Sequence, residues 1–337
     1  MQADIFKVQY LERLADAKRM MEETNKASVL FVVQIPDADN NDLLLPVTRE
    51  SLSNVVCFVE IGDISMLDFI LSEADGIIDR IVLDIDMIRS NSQQIIDYVM
   101  ANSSIPIMKY SDVQMWGDSA VDFVSLNEKD LQNKKVLVVG KSYLATQIVR
   151  NLLTRGVHVY MTQTEMEDVL FPVNHDSCIT IQSSHLHVVS DETYFDVLIG
   201  GNMKKCLNEQ LLEQYTYGRV YDIGLQNFSR TFIHSLTVAA TPVYRFDNRA
   251  AVASVILRLM ETEDLLKNVM GKAQLKDITL ISGGIMGAMG DVVVDNVNDP
   301  SSVLGIADGC GSFVHDADYT EQDKIHIDTI QKLINQK

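Results

Sequence analysis

Residues 135–160 read Lys135-Val-Leu-Val-Val-Gly-Lys-Ser-Tyr-Leu-Ala-Thr-Gln-Ile-Val-Arg-Asn-Leu-Leu-Thr-Arg-Gly-Val-His-Val-Tyr160, and they decide the fold. The apolar run 136–139 stops abruptly at Gly140. Leu144, Ile148 and Leu152 then recur every fourth position, the spacing of one helical face. Gly156 ends that helix, and residues 157–161 form a second buried strand. Strand, glycine turn, helix and parallel strand make the βαβ unit of a nucleotide-binding sheet. Its turn leaves backbone N–H groups at a helix N-terminus, where they can hold an anion.

The same alternation extends in both directions. Upstream, an amphipathic helix over 3–25 precedes a strand over 29–35 and a polar loop over 37–42. Strands over 55–61, 80–85 and 105–108 alternate with helices over 66–72 and 93–101, the pattern of a small α/β domain. Residues 110–133 are polar and read as a linker. Downstream, short strands are expected at 178–182 and 186–190. Phe195-Asp-Val-Leu-Ile-Gly-Gly201 and Gly218-Arg-Val-Tyr-Asp-Ile-Gly224 are strands ending in glycine, as at a ligand crevice. A strand over 238–243 and a long helix over 250–270 follow. The expectation is an α/β protein of three parts: an N-terminal α/β domain (1–120), a Rossmann-like doubly wound parallel sheet domain (121–272) and a small glycine-rich C-terminal extension (273–337).

Composition narrows the partners. A chain of 337 residues with 47% hydrophobic content has room for two cores. No apolar run approaches the roughly 18 residues of a membrane span, and the N-terminus lacks an export pattern, so a cytoplasmic protein is expected. Cys57, Cys178, Cys206 and Cys310 show no metal-like spacing and read as buried thiols. The formal net charge of −19 argues against nucleic acid, since such a surface repels a phosphate backbone.

Against the GxGxxG dinucleotide fingerprint, Gly140 holds the first position, Ser142 the second and Ala145 the tolerated third. The Ser142 hydroxyl is a possible donor to a pyrophosphate, and Lys141 adds charge to the turn. The second strand runs into Thr162 rather than the acid that grips a ribose 2′-OH, which leans towards NADP over NAD, or towards no dinucleotide.

Residues 138–148, Val-Val-Gly-Lys-Ser-Tyr-Leu-Ala-Thr-Gln-Ile, resemble the Val-Ile-Gly-Arg-Ser-x-Ile-Val-Gly-x-Pro signature of methylenetetrahydrofolate dehydrogenase/cyclohydrolases. Phe195-Asp-Val-Leu-Ile is similar to that family's Ala-Asp-x-Val-Ile, and Val220-Tyr-Asp-Ile-Gly-Leu to its Val-Ile-Asp-Val-Gly-Ile. Thr241-Pro-Val matches the start of its Thr-Pro-Val-Pro-Gly-Gly loop. The chain departs from the family at Thr146 and Ile148, at 244–249, and in lacking the Tyr-x-x-x-Lys pair and the Lys-Asp-Val-Asp-Gly motif. The resemblance implies an oxidoreductase binding NADP or NAD, with Gly140, Lys141, Ser142, Thr162, Asp222 and Gly224 around the cofactor. It also implies a small polar substrate on the N-terminal domain and a homodimer. The missing pair leaves the catalytic residues unassigned and keeps a second reading open, a structural or regulatory protein on the same fold.

Other candidates are thinner. Lys109 follows an N-domain strand and reads as a surface lysine or a general base. His185 and His187 share a strand face like two metal ligands, without a third in the sequence. Asp291, Asp295 and Asp299 lack a calcium-loop pattern. The glycine-rich stretch 283–290 lacks a P-loop lysine, and Met286 and Met289 read as core filler.

Overall fold

Two sheets with parallel cores form because two sets of apolar runs are buried on both faces, as helix-covered sheets require. The computed structural model describes residues 2–35, 43–51, 53–62, 64–87, 90–140, 142–162, 185–190, 192–202, 212–223, 227–246, 249–282 and 284–336. It resolves into two compact units, Met1–Val255 and Ile256–Lys337.

The first unit begins with α1 (Gln2–Thr24), β1 (Ala27–Gln34), the two-residue strands β2 (Leu43–Leu44) and β3 (Arg49–Glu50), and β4 (Asn54–Ile61). Then come α2 (Leu67–Ala74), β5 (Arg80–Asp84), α3 (Ser92–Asn102) and β6 (Ile107–Tyr110). The sheet order is β2-β4-β1-β5-β6, with β3 also on β4. The strands β4, β1, β5 and β6 are parallel, so in chain order the parallel set runs 2-1-3-4. That order reverses between β1 and β5. Tyr10, Leu14, Leu30, Val59, Leu67, Ile70, Ile81 and Ile95 pack in its core, and the Tyr10 hydroxyl donates to the Ile70 carbonyl at 3.0 Å.

Residues 112–127, expected to be linker, are the helix α4 (Asp112–Asn127). Ser111 caps it by accepting the Gln114 N–H, and Val113, Ala120, Val121 and Val124 supply a buried stripe that the intervening polar residues disguise. The second sheet uses β7 (Lys135–Val139), α5 (Tyr143–Thr154), β8 (His158–Met161), β9 (Leu186–Val188), β10 (Tyr194–Gly200), β11 (Thr216–Asp222), α6 (Arg230–Val238) and β12 (Val243–Arg245). All five strand pairs are parallel, in the order β12-β11-β10-β7-β8-β9. Numbered within the sheet, this is 3-2-1-4-5-6, the doubly wound Rossmann order.

Two strand expectations shift. The expected 238–243 strand starts at Val243, because α6 runs on through Val238 and Ala240 turns the chain at positive φ. The 105–108 strand lies two residues later, after Pro106. The expected loop 37–42 and strand 178–182 lie outside the described residues.

The helix α7 (Arg249–Asp264) continues into a π-helical turn at Leu265–Val269. In the second unit β13 (Gly271–Leu275), β14 (Ile278–Ser282), β15 (Val292–Val294) and β16 (Val303–Ile306) form a sheet in chain order. Helix α8 (Glu321–Ile334) starts at a Thr320/Asp323 capping box and buries Ile330 against Ile278, Val292 and Ile306. Met286 and Met289 are 70% and 78% exposed, so they are not core filler. Cys310 is exposed rather than buried. At Gly287 an added Cβ would sit 2.4 Å from Ile281 Cδ1, so this glycine serves close packing. Among the described residues no helix is long and apolar enough to cross a membrane.

Candidate functional site

In a doubly wound sheet the crevice opens where strand order reverses, beyond the carboxyl ends of the two strands that diverge. Here those strands are β7 and β10. Gly200 is level with Val139, and the Gly201 N–H donates to the Val139 carbonyl at 2.9 Å, so Gly140 and Gly201 face each other. Gly140 has φ +146. A Cβ there would lie 2.9 Å from Asn202 Oδ1 and 3.2 Å from Ala145 Cβ, which only glycine avoids.

Ser142 caps α5 by accepting the Ala145 N–H at 3.2 Å. Its own proton goes to the Gly201 carbonyl at 2.6 Å. The hydroxyl therefore ties the two sides of the crevice together, with its proton directed at Gly201. Thr162 follows the last residue of β8 and is half-buried. Asp222 ends β11 and is 3% exposed; its carboxylate accepts the Asn227 side-chain amide at 2.7 Å and its backbone N–H at 3.3 Å. Arg245 approaches the other carboxylate oxygen at 3.4 Å. Asn227 Oδ1 in turn accepts the Asn202 N–H at 2.8 Å, so Asp222 sets the backbone after β10 rather than facing outward. The structure thus gathers Gly140, Ser142 and Asp222 at one sheet edge, while Lys141 and Gly224 lie outside the described residues. A cleft of about 560 Å³ lies further along, between α6 and β12; Asp222 lines it, and Gly140 and Ser142 do not.

A second locus, absent from the sequence-based candidates, occupies the reversal between β1 and β5. Asp84 is the last residue of β5 and has no exposed surface. One of its oxygens accepts the N–H groups of Asp86 at 3.0 Å and Asp112 at 3.3 Å, and the other accepts that of Gln34 at 3.3 Å. Asp112 is 5% exposed and accepts the Tyr110 hydroxyl at 2.9 Å. Asp86 accepts the Val113 N–H at 2.9 Å. Burial, and then the charge of Asp86, push Asp84 up to about 7. Burial and the charge of Asp84 raise Asp112 well above the carboxylate range. The sequence signal is faint: an acid one residue inside the end of an apolar strand, and another in a stretch whose polar residues read as linker.

The two loci share one end of the unit. Helix α4 starts at the first sheet's carboxyl edge, and α5 at that of the second. Gly117 of α4 abuts Gln147 of α5, Asp118 meets Asn151 at 2.6 Å, and Asp122 meets Arg155 at 2.5 Å. Both residue numbers rise together, so the helices run parallel and begin at the same end. Both carboxyl edges therefore open towards the same side.

The remaining candidates sort plainly. Lys109 is exposed within β6. His158 joins His187 of β9 and His185 just before it: its Nδ1 lies 3.0 Å from His187 Nε2, and its ring centroid 4.7 Å from that of His185. Burial, then the neighbouring imidazoles, lower the His187 pKa. Asp291 accepts the Ala288 N–H, and Asp295 accepts those of Ser301 and Ser302, all at 2.9 Å. Among the described residues no three His, Cys, Asp or Glu side chains are placed to hold a metal ion.

No protein-family model matches the sequence, and no curated protein does. Among solved structures, the chain is similar to a shikimate 5-dehydrogenase-like protein, with 10% identity, 72% of this chain and 92% of that one covered, and a TM-score of 0.35. It is similar to the anabolic ornithine carbamoyltransferase of Campylobacter jejuni, with 10% identity, coverage of 76% and 96%, and a TM-score of 0.35. For the L-tryptophan dehydrogenase of Nostoc punctiforme the values are 11%, 70% and 74%, and 0.36. Likeness of this degree selects no reaction.

Proposed function

We propose that the protein is an NAD(P)-dependent oxidoreductase, with the cofactor at the β7/β10 crevice and a small polar substrate at the carboxyl edge of the first sheet. The observation that carries this is the all-parallel 3-2-1-4-5-6 sheet whose order reverses at Gly140. The residues there fit a dinucleotide. Gly140 keeps the backbone bare of a Cβ, and the first turn of α5 directs the positive end of a helix dipole to the crevice. Thr162, in place of an acid after β8, leaves room for a 2′-phosphate without like-charge repulsion, which favours NADP. When bound, the nicotinamide would supply hydride transfer. The chain would orient it and screen it from water. The finer kinship with methylenetetrahydrofolate dehydrogenase/cyclohydrolases rests on the sequence motifs at 138–148, 195–199, 220–225 and 241–243 alone.

A second reading, a fold retained without catalysis, draws on the Ser142–Gly201 and Asn202–Asn227–Asp222 bonds, which occupy polar groups that a cofactor site would otherwise use. Calorimetric titration with NADPH and NADH separates the two. Micromolar binding that weakens about tenfold in Lys141→Ala is expected for the enzyme. Absence of binding to a folded sample refutes it and leaves the second reading.

A further inference from the structure

Gln34, the last residue of β1, is 1% exposed. Its side-chain amide donates to the carbonyls of Asp84 at 3.1 Å and Asp86 at 3.2 Å, which fixes the carboxamide at the β1/β5 reversal. Among the described residues its Oε1 has no hydrogen-bond partner. A buried acceptor left without a donor is costly, and such groups mark places where a water, an ion or a ligand group belongs. The same end holds the carboxyl groups of Asp84 and Asp112, both buried, with half-buried Asp86 at the rim.

These groups set the chemistry of an occupant. A carboxamide oxygen is an acceptor, and buried carboxyl groups become acceptors when a neighbouring cation favours their ionised form, so an occupant that donates hydrogen bonds and carries positive charge suits them all. A metal ion is disfavoured, because no three side chains among the described residues are placed to hold one and the Asp84 oxygens already accept backbone N–H groups. An ammonium suits the arrangement better, since its three donors need only separate acceptors.

We propose that the carboxyl end of the first sheet, at the β1/β5 reversal, binds the ammonium group of a small amine, with Gln34 Oε1 accepting one N–H and the Asp84 and Asp112 carboxyl groups as further acceptors whose ionisation the bound cation favours. The site stands on these residues alone and does not depend on a nicotinamide at the second sheet.

The test uses full-length protein labelled with 13C at the aspartate carboxyl carbon, with Asp84→Asn and Asp112→Asn assigning the two resonances. Methylammonium chloride is the probe, raised to about 50 mM against sodium chloride of equal ionic strength. The expected result is a saturable shift of both resonances that weakens about tenfold or more in Gln34→Leu. Glycine identifies the source: weaker binding than methylammonium points to a free amine, and equal binding to an α-amino acid. No saturable shift in folded wild-type protein overturns the proposal, as does saturation that is unchanged in a folded Gln34→Leu variant. NADPH titration of the same samples reports separately on the cofactor reading.

Discussion

Glu128 and Asp84 are both shielded from solvent, yet their surroundings drive them in opposite directions. Burial alone would raise the Glu128 carboxyl. Hydrogen bonds from Lys134 at 2.5 Å and the Tyr221 hydroxyl at 2.6 Å, with the charges of Lys134 and Arg219, outweigh that and hold it below its usual range. Burial, and then the charge of Asp86, push Asp84 up to about 7. The pH windows follow from these signs. Glu128 contributes stability that is present above its unfolded value of about 4.3 and is lost as pH falls through the folded value. Asp84 contributes stability that is complete below its unfolded value of about 3.9 and is lost as pH rises to about 7. Urea midpoints measured against pH should therefore fall on both sides. Glu128→Gln should flatten the acid limb, and Asp84→Asn the limb between about pH 4 and 7. Asp112 moves in the same direction as Asp84, so the decisive sample is the Asp84→Asn, Asp112→Asn double variant. A neutral-side slope retained there refutes the assignment.

Helix α4 shows how an element escapes a reading of local pattern. Asp112, Gln114, Asp118 and Asp122 make it look solvated, and Gly117 sits within its buried set. Only the tertiary arrangement explains that glycine: a Cβ at position 117 would lie 2.8 Å from Gln147 Cβ, so α4 and α5 meet backbone to side chain. Strongly periodic α5, with its Ser142 cap and its Gly156 stop at φ +73, was legible in the sequence because each signal is local. Gly117→Ala weighs the two effects against each other. Alanine gains about 1 kcal/mol of helix propensity over glycine. Forcing two packed helices apart costs about 1–3 kcal/mol, because Gln147 Cβ is bound to its own backbone and cannot swing away. A net loss of about 1 kcal/mol is expected, visible as a lower urea midpoint. A stabilised variant would mean that α4 and α5 separate at little cost.

At the scale of the whole molecule, the Rossmann sheet was readable because its apolar runs and terminal glycines recur along the chain. The acidic locus was not, because Gln34, Asp84 and Asp112 are brought together only by the order β1-β5-β6. Net charge, by contrast, is a property of the sequence alone and governs how an anionic ligand arrives. At −19 the chain repels the phosphates of NADPH over long range. Contacts at the Gly140 turn act only at close quarters. The screening length falls from about 30 Å at 0.01 M salt to about 8 Å at 0.15 M, so salt should weaken the repulsion far more than the contacts. If the cofactor proposal holds, the NADPH association rate should rise with salt across that range, by about tenfold. Stopped-flow fluorescence of NADPH measures it directly. A rate that falls instead would mean that a local cluster of basic residues overrides the acidic field and steers the cofactor in.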